Sequence, residues 1–217
     1  DAAGRPPLSL TAHFLAPGPV GQAEIDVEIL RDGRRMAVAR ATLRVDDRPI
    51  IGLLGTFAMP VDAAGEGLSI ERSAPPDLPP PEECVRTMPP VESGFGHRTL
   101  NRYHPDDVGF SRGDPSGTPR VRGWFEFSDG GPIDPFGLLL VADAFAPVCF
   151  NVPGVGPAWS PTLELTIHVR AVPADGPLRV RFESRHVRDG YFEEDGEIWD
   201  AAGRLVAQSR QLALMPR

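Results

Sequence analysis

Lysine is absent from the 217-residue sequence, so all 22 basic residues are arginine, and cysteine is confined to Cys84 and Cys149. Two cysteines provide neither a disulfide framework nor the spacing of a metal site, and a reducing cytosol fits this scarcity best. The sequence also lacks an apolar run long enough to span a bilayer and a recognisable signal peptide. We therefore expect a cytoplasmic protein without a membrane span.

Basic residues are also outnumbered, since 22 of them stand against 30 acidic residues and give a formal net charge of −8 at pH 7. A chain of this sign is repelled by phosphate backbones and anionic lipids, which disfavours non-specific binding to nucleic acid or membrane surfaces. The sequence contains no cluster with metal-ligand spacing, no Gly-x-Ser-x-Gly motif and no glycine-rich phosphate loop followed by a helix. It therefore predicts no metal and no cofactor.

The sequence does contain an internal repeat. Residues 8–13 read Leu-Ser-Leu-Thr-Ala-His, and residues 163–168 read Leu-Glu-Leu-Thr-Ile-His. Two further matches are Arg-Asp-Gly at 31–33 and 188–190, and Met-Pro at 59–60 and 215–216. The separations of 155, 157 and 156 residues agree within two, which indicates an old duplication.

Alternation of apolar and polar residues predicts the strands of both copies. The predicted strands cover 8–15, 23–30, 35–45 and 50–58 in the first copy, and 121–127, 162–171, 178–186, 191–199 and 204–214 in the second. Proline clusters after Met59 cannot lie in a central strand and predict a surface linker. The expected organisation is a first repeat at 1–60, a Pro-rich linker at 61–119 with a further strand at 98–103, and a second repeat at 120–217.

The segment 135–148 predicts a long central helix, and its residues leave almost no polar face, so the helix is expected to be buried. A long helix wrapped by an antiparallel sheet is the hot-dog architecture. The sequence therefore predicts an α+β double hot-dog fold, with two tandem antiparallel sheets that each wrap a long helix.

The first copy lacks a counterpart to the strand at 121–127 and the helix at 135–148. By the offset of the repeat, these elements would precede residue 1, and we expect about 35 to 40 further residues there. Alternatively, the first copy has lost its helix, and its apolar sheet face has another cover.

Asp143 is the only charged residue within the predicted helix. A carboxylate among apolar side chains is costly unless it is hydrogen-bonded or functional, although it could also face a solvent edge or cap a neighbouring turn. The histidines are weaker candidates, since His13 and His168 occupy equivalent strand positions and this duplication favours a structural role.

Three segments of the sequence resemble the type II acyl-CoA thioesterases, which are double hot-dog proteins with both halves in one chain. The segments are Leu-Leu-Leu-Val-Ala-Asp-Ala-Phe-Ala-Pro at 138–147, Pro-Thr-Leu-Glu-Leu-Thr at 161–166 and Leu-Val-Ala-Gln-Ser-Arg-Gln at 205–211. In that family an Asp, a Thr or Ser, and a Gln hold a water, and the matching positions are Asp143, Thr162 and Gln211. The resemblance implies an acyl-CoA substrate and a homodimer or higher homo-oligomer.

The chemistry of these residue types suits thioester hydrolysis. Asp143 would accept a proton from the attacking water, and Thr162 and Gln211 would complete the hydrogen bonds of that water. The first copy has Pro7 and Gly55 at the positions equivalent to Thr162 and Gln211, so one active site is expected.

Alternative interpretations remain for the residues and for the function. Thr162 and Gln211 could be ordinary strand residues, and Thr162 is expected on the face of its strand that carries Glu164, Thr166 and His168. The protein could be a non-catalytic acyl-thioester-binding or scaffold protein. A hot-dog dehydratase or hydratase would pair a histidine with the acid, and no histidine accompanies Asp143 on its helix.

Overall fold

The computed structural model describes residues 4–59, 70–87 and 95–216. The strands are β1 (Pro7–Phe14), β2 (Ala23–Asp32), β3 (Met36–Val45), β4 (Arg48–Ala58), β5 (Val85–Arg86), β6 (Thr99–Tyr103), β7 (Arg120–Phe127), β8 (Thr162–Val169), β9 (Leu178–Glu183), β10 (Val187–Arg188), β11 (Tyr191–Trp199) and β12 (Leu205–Leu214). The α-helix is α1 (Gly137–Val141), and short 3₁₀ helices cover Pro81–Glu83, Phe95–His97, Pro105–Asp107, Gly109–Arg112 and Val148–Asn151.

The strands form one continuous antiparallel sheet. Its order is β2-β3-β4-β1-β8-β12-β11-β9-β7-β6-β5, and β10 pairs with β11 outside this path. The prediction of two separate sheets is therefore wrong, because β1 and β8 are hydrogen-bonded to each other and join the two halves. Pairing between segments so distant in the chain is not encoded in the alternation of either strand.

The junction between the halves is centred on two threonines from the repeated segment. The β1–β8 register runs from Ser9 opposite His168 to His13 opposite Glu164, and it places Thr11 opposite Thr166. Moving outward from this junction, the first half has the order β1-β4-β3-β2 and the second half has the order β8-β12-β11-β9. These two four-strand orders match, and the second half continues beyond β9 with β7, β6 and β5.

The predicted long helix at 135–148 is not confirmed, because α1 covers only Gly137–Val141. The N–H groups of Asp143 and Ala144 bond to carbonyls three residues back, so the last turn tightens into 3₁₀ geometry. Pro147 then lacks an N–H with which to continue a helix. The nearly all-apolar composition predicted burial only in part, since Leu138 and Val141 are fully buried whereas Phe136 is 42% exposed, and it did not predict where the helix ends.

After α1 the backbone is held by side chains of the sheet instead of helical hydrogen bonds. The hydroxyl of Tyr103 accepts from the Ala146 N–H at 3.0 Å, and the side-chain amide of Asn101 donates to the Ala144 carbonyl. These contacts give hydrogen-bond partners to a main-chain N–H and a main-chain carbonyl that no longer have a helical partner. They also position residue 143 relative to β6.

The predicted linker at 61–119 is partly a structured region. Its described residues from Pro81 onward include β5 and β6 at the edge of the sheet, and Tyr103, Val108 and Phe110 are buried in the core. Buried Asp107 accepts from Arg122 at 2.7 Å and from Arg120 at 3.2 Å, which anchors this segment to β7. The strand expected at 98–103 corresponds to β6, and the residues that follow it pack into the core.

The main core lies between the second half of the sheet and α1. Leu138 and Val141 are fully buried there against residues of β7, β8 and β9, which include Phe125, Ile167 and Phe182. The outer strand of the first half differs, since Ile25, Val27 and Ile29 of β2 are 52–63% exposed.

Within the described ranges, none of the helices has the length and hydrophobicity of a membrane span.

Candidate active site

Asp143 lies in the turn after α1, where two cavities adjoin. One cavity of about 620 Å³ is lined by Asp143 with Ser160 and Thr162, and the other, of about 440 Å³, by Asp143 with Leu139, Leu140 and other apolar side chains. Phe14 and Ile51 of the first half line both cavities, so the site lies between the halves of the protein.

Asp143 is exposed by surface area, and it lies where the two cavities open. Its carboxyl group is nevertheless poorly solvated, because neighbouring protein atoms restrict its contact with water. This poor solvation of the charged form raises the pKa of Asp143 to about 6. A carboxyl group with this pKa is mostly ionised at neutral pH and remains a stronger base than an ordinary aspartate.

Thr162 reaches the site because of a β-bulge. The register of β8 with β12 moves from Glu164 opposite Leu212 to Thr162 opposite Ala213, so Leu163 has no partner of its own. Opposed residues project to the same face, and Ala213 is only 1% exposed, which puts Thr162 on the core face. The prediction that Thr162 shares a face with Glu164, Thr166 and His168 is therefore wrong, since the bulge reverses the alternation at this point.

Gln211 lies at the centre of a hydrogen-bonded chain of side chains. Thr162 donates from Oγ1 to Gln211 Oε1 over a long 3.4 Å, and Gln211 donates from Nε2 to Glu194 Oε1 at 3.2 Å. The other oxygen of Glu194 accepts from the Val148 N–H at 2.9 Å. This chain connects three strands to the segment that carries Asp143.

Glu194 is a site residue that the sequence analysis missed. It is 6% exposed, and burial raises its pKa to about 8, with a further upward contribution from Asp143 and a downward one from the Val148 N–H. A signal was available in the strand pattern, because Glu194 has the same parity along β11 as Phe192 and Ile198, which are 1% and 0% exposed. A carboxylate on the apolar face of a strand marks a candidate in the same way that Asp143 did.

Among the described residues, the remaining reactive side chains do not complete a different catalytic arrangement. Burial raises the pKa of Cys149 to about 12, so it remains a neutral thiol. His13 and His168 are exposed on the sheet, and none of the histidines in the described ranges lines either cavity at Asp143. The described residues also contain no group of three His, Cys, Asp or Glu able to hold a metal ion.

Two family models match this chain almost end to end. Residues 1–58 match the acyl-CoA thioesterase N-terminal domain, and residues 74–215 match the acyl-CoA thioesterase C-terminal domain. The chain belongs to the type II acyl-CoA thioesterase family. This thioesterase is accordingly a thioester hydrolase, and the family predicted from the three sequence segments is confirmed.

Similar proteins support the family and the fold. The uncharacterised protein Rv0499 of Mycobacterium tuberculosis is 33% identical over 231 residues, which cover 98% of this thioesterase and 77% of Rv0499. A solved protein of Thermobifida fusca, assigned as a thioesterase II, superposes with a TM-score of 0.85 at 35% identity, covering 97% of this chain and 79% of its own. A hot-dog protein of Alicyclobacillus acidocaldarius superposes with a TM-score of 0.82 at 22% identity, covering 98% and 80%. The prediction of a hot-dog fold is thus confirmed.

Proposed function

We propose that this thioesterase hydrolyses acyl-CoA to a free fatty acid and CoA through a water held by Asp143, Thr162 and Gln211. The observation that carries the proposal is the position of Asp143 and Thr162 on one cavity, with Thr162 hydrogen-bonded to Gln211. A carboxylate and a hydroxyl at one cavity, with the Gln211 amide hydrogen-bonded to that hydroxyl, can hold a single water between them.

Asp143 would act as the general base. Its carboxylate takes a proton from the water while the water oxygen attacks the thioester carbonyl carbon, and the carbon–sulfur bond then breaks. The proton returns to the departing thiolate, which leaves as the CoA thiol. A pKa of about 6 keeps Asp143 ionised and sufficiently basic for this role at neutral pH.

The apolar cavity beside Asp143 supports an acyl substrate. Its walls include Phe136, Leu139 and Leu140 from α1 and the residue before it. Leu53 of β4 and Leu165 of β8 contribute one wall residue from each half of the sheet. A hydrocarbon chain gains about 25 cal/mol for each Å² of apolar surface removed from water, which favours binding in such a cavity. We infer that the acyl chain lies here, with its thioester at Asp143.

We also infer that the two halves are hot-dog repeats at 1–60 and 120–217, connected by 61–119. The shared strand order and the pairing of Thr11 with its counterpart Thr166 support this interpretation. We further propose that the protein acts in the cytoplasm as a homodimer or higher homo-oligomer. The exposed apolar residues of β2 support this, because a second subunit could cover them. Sedimentation analysis tests the oligomeric state directly.

Release of free thiol from acyl-CoA substrates of different chain lengths tests the proposed reaction. We expect turnover by the wild type, loss of turnover in Asp143→Ala, and normal turnover in the control Asp175→Asn, which changes an exposed carboxylate. A wild type that binds acyl-CoA without turnover, with binding unchanged in Asp143→Ala, would instead identify a non-catalytic acyl-thioester-binding protein. Hydration or dehydration of an enoyl or hydroxyacyl thioester without thiol release would identify a dehydratase or hydratase.

A further inference from the structure

We propose that Glu194 is a positioning residue that orients the Gln211 amide, so that the Thr162 hydroxyl accepts a hydrogen bond from the attacking water. The proposal rests on the proposed hydrolysis by Asp143, Thr162 and Gln211, and it adds a fourth side chain to that site. It starts from the direct pairing of Glu194 on β11 with Gln211 on β12.

The contacts of Glu194 define which end of Gln211 faces it. Oε2 of Glu194 receives the main-chain N–H of Val148, which can only donate, and Oε1 receives Nε2 of Gln211. An ionised carboxylate accepts at both oxygens, so it favours the amide nitrogen of Gln211 over the amide oxygen. Glu194 and Gln211 are each only 6% exposed, and exchange of these hydrogen bonds for bulk water is therefore restricted.

The orientation of Gln211 determines the role of Thr162. With Nε2 directed at Glu194, the amide oxygen faces Thr162 and must receive the single hydroxyl hydrogen of that residue. The Thr162 oxygen can then only accept, and a neighbouring water donates one hydrogen to it and the other to Asp143. Gln211 thus acts on the water through the Thr162 hydroxyl, and the lone pairs of the water are left free to attack the thioester carbon.

Ionisation of Glu194 links this orientation to pH. Three titratable groups act on it electrostatically, namely Asp143 after α1, Cys149 in the following 3₁₀ helix and Tyr103 on β6. The raised pKa values of Cys149 and Tyr103 keep these two groups neutral, whereas Asp143 ionises first and opposes ionisation of Glu194. A protonated Glu194 would donate to Gln211 and favour the reversed amide.

The kinetic test compares Glu194→Gln with the matched control Glu197→Gln, whose carboxylate lies on the same strand and pairs with Arg181. We expect Glu194→Gln to lower kcat about tenfold with little change in KM, because it weakens transition-state positioning and not substrate binding. After subtraction of uncatalysed hydrolysis, wild-type kcat should rise with pH in two steps, near pH 6 as Asp143 ionises and near pH 8 as Glu194 ionises. Glu194→Gln should lose the step near pH 8 and keep the step near pH 6. Glu197→Gln should retain wild-type values.

A double exchange gives a stricter test. In Glu194→Gln with Gln211→Glu, the new amide can accept from Val148 and donate to the new carboxylate, which again accepts from Thr162. We expect this variant to recover at least threefold in kcat over Glu194→Gln alone. Recovery is not expected if Glu194 only maintains packing.

The side-chain amide of Gln211 provides a readout that does not require turnover. Its ¹H–¹⁵N resonances, assigned by their loss in Gln211→Ala, should shift with a midpoint near pH 8 in the wild type and not in Glu194→Gln. An active wild type whose kcat, pH profile and amide resonances are unchanged in Glu194→Gln overturns the role of Glu194 and leaves the proposed reaction intact. Absence of thiol release by the wild type overturns the proposed reaction, and the amide titration then decides alone whether Glu194 orients Gln211.

Discussion

The hydroxyl groups of Thr11 and Thr166 lie 2.9 Å apart across the centre of the continuous sheet. Thr166 also donates to the Glu164 carboxylate at 2.5 Å, so its hydrogen is already engaged and Thr11 is the donor between the two threonines. The first half of the protein thereby hydrogen-bonds to the second through side chains as well as through the β1–β8 ladder.

Substitution of Thr11 tests this contact. We expect Thr11→Val to lower the free energy of unfolding by about 1 kcal/mol, because it removes one partly buried hydrogen bond at nearly constant shape. The double variant Thr11→Val with Thr166→Val should be less destabilised than the sum of the single variants, as a double-mutant cycle in urea would measure. Strict additivity would contradict a direct contact.

The pH dependence of hydrolysis should report Asp143. Only the carboxylate can accept a proton, so kcat/KM should rise with pH through a midpoint near 6 and fall about tenfold for each pH unit below it. Asp143→Asn should lower kcat by about 100-fold or more, which is the usual contribution of a general base. Retention of the acid limb in Asp143→Asn would assign that limb to another group.

The stability of the protein should fall as pH rises, in part because of Glu194. Its folded-state pKa of about 8 lies above the ordinary value of 4.5, so the folded protein binds this proton more tightly than the unfolded chain does. The resulting stabilisation is fully present below pH 4.5 and is lost as pH rises through 8. Glu194→Gln should show a flatter dependence of the unfolding free energy on pH, measured in urea between pH 5 and pH 9, whereas Glu197→Gln should keep the wild-type slope.

Core packing around α1 gives a prediction independent of catalysis. Leu138 is fully buried, and Leu138→Ala should lower the free energy of unfolding by about 2 to 5 kcal/mol through lost burial and a residual cavity. Leu212, which is 41% exposed on β12, is the matched control, and Leu212→Ala should cost less than about 1 kcal/mol. Equal effects in thermal unfolding of the two variants would contradict the assignment of the core.

Local patterns in the sequence predicted most strands of this fold but not their long-range arrangement. The alternation in Tyr191–Trp199 defined β11 to the residue, because side chains of a half-buried strand have a period of two. The pairing of Thr11 with Thr166 depends on a contact between segments more than 150 residues apart, and alternation within each segment cannot encode it. The segment that follows α1 is held by Tyr103 and Asn101 of β6, which bond to it from a distant part of the sequence.

The same distinction applies to the candidate site. Asp143 was predicted from its chemistry, as a lone carboxylate in an apolar segment, whereas Thr162 and Gln211 were predicted from the family resemblance. The predicted strand face of Thr162 was wrong, because the bulge at Leu163 arises from pairing with β12 and cannot be read from the alternation of β8. Glu194 belongs to no segment of the resemblance, and only its parity along β11 with buried Phe192 distinguishes it from Glu193 and Asp195 on either side.

The β1–β8 junction also has a consequence for how the two halves could diverge. A separated half would expose an unpaired strand edge, which is a template for misassembly, so covalent linkage keeps each half beside its partner at high effective concentration. Linkage also makes the two copies distinct positions on one gene, free to accumulate different substitutions. On the proposed repeat and reaction, the half with Pro7 and Gly55 specialises as a wall of the cavity, while the half with Thr162 and Gln211 supplies the proposed polar chemistry.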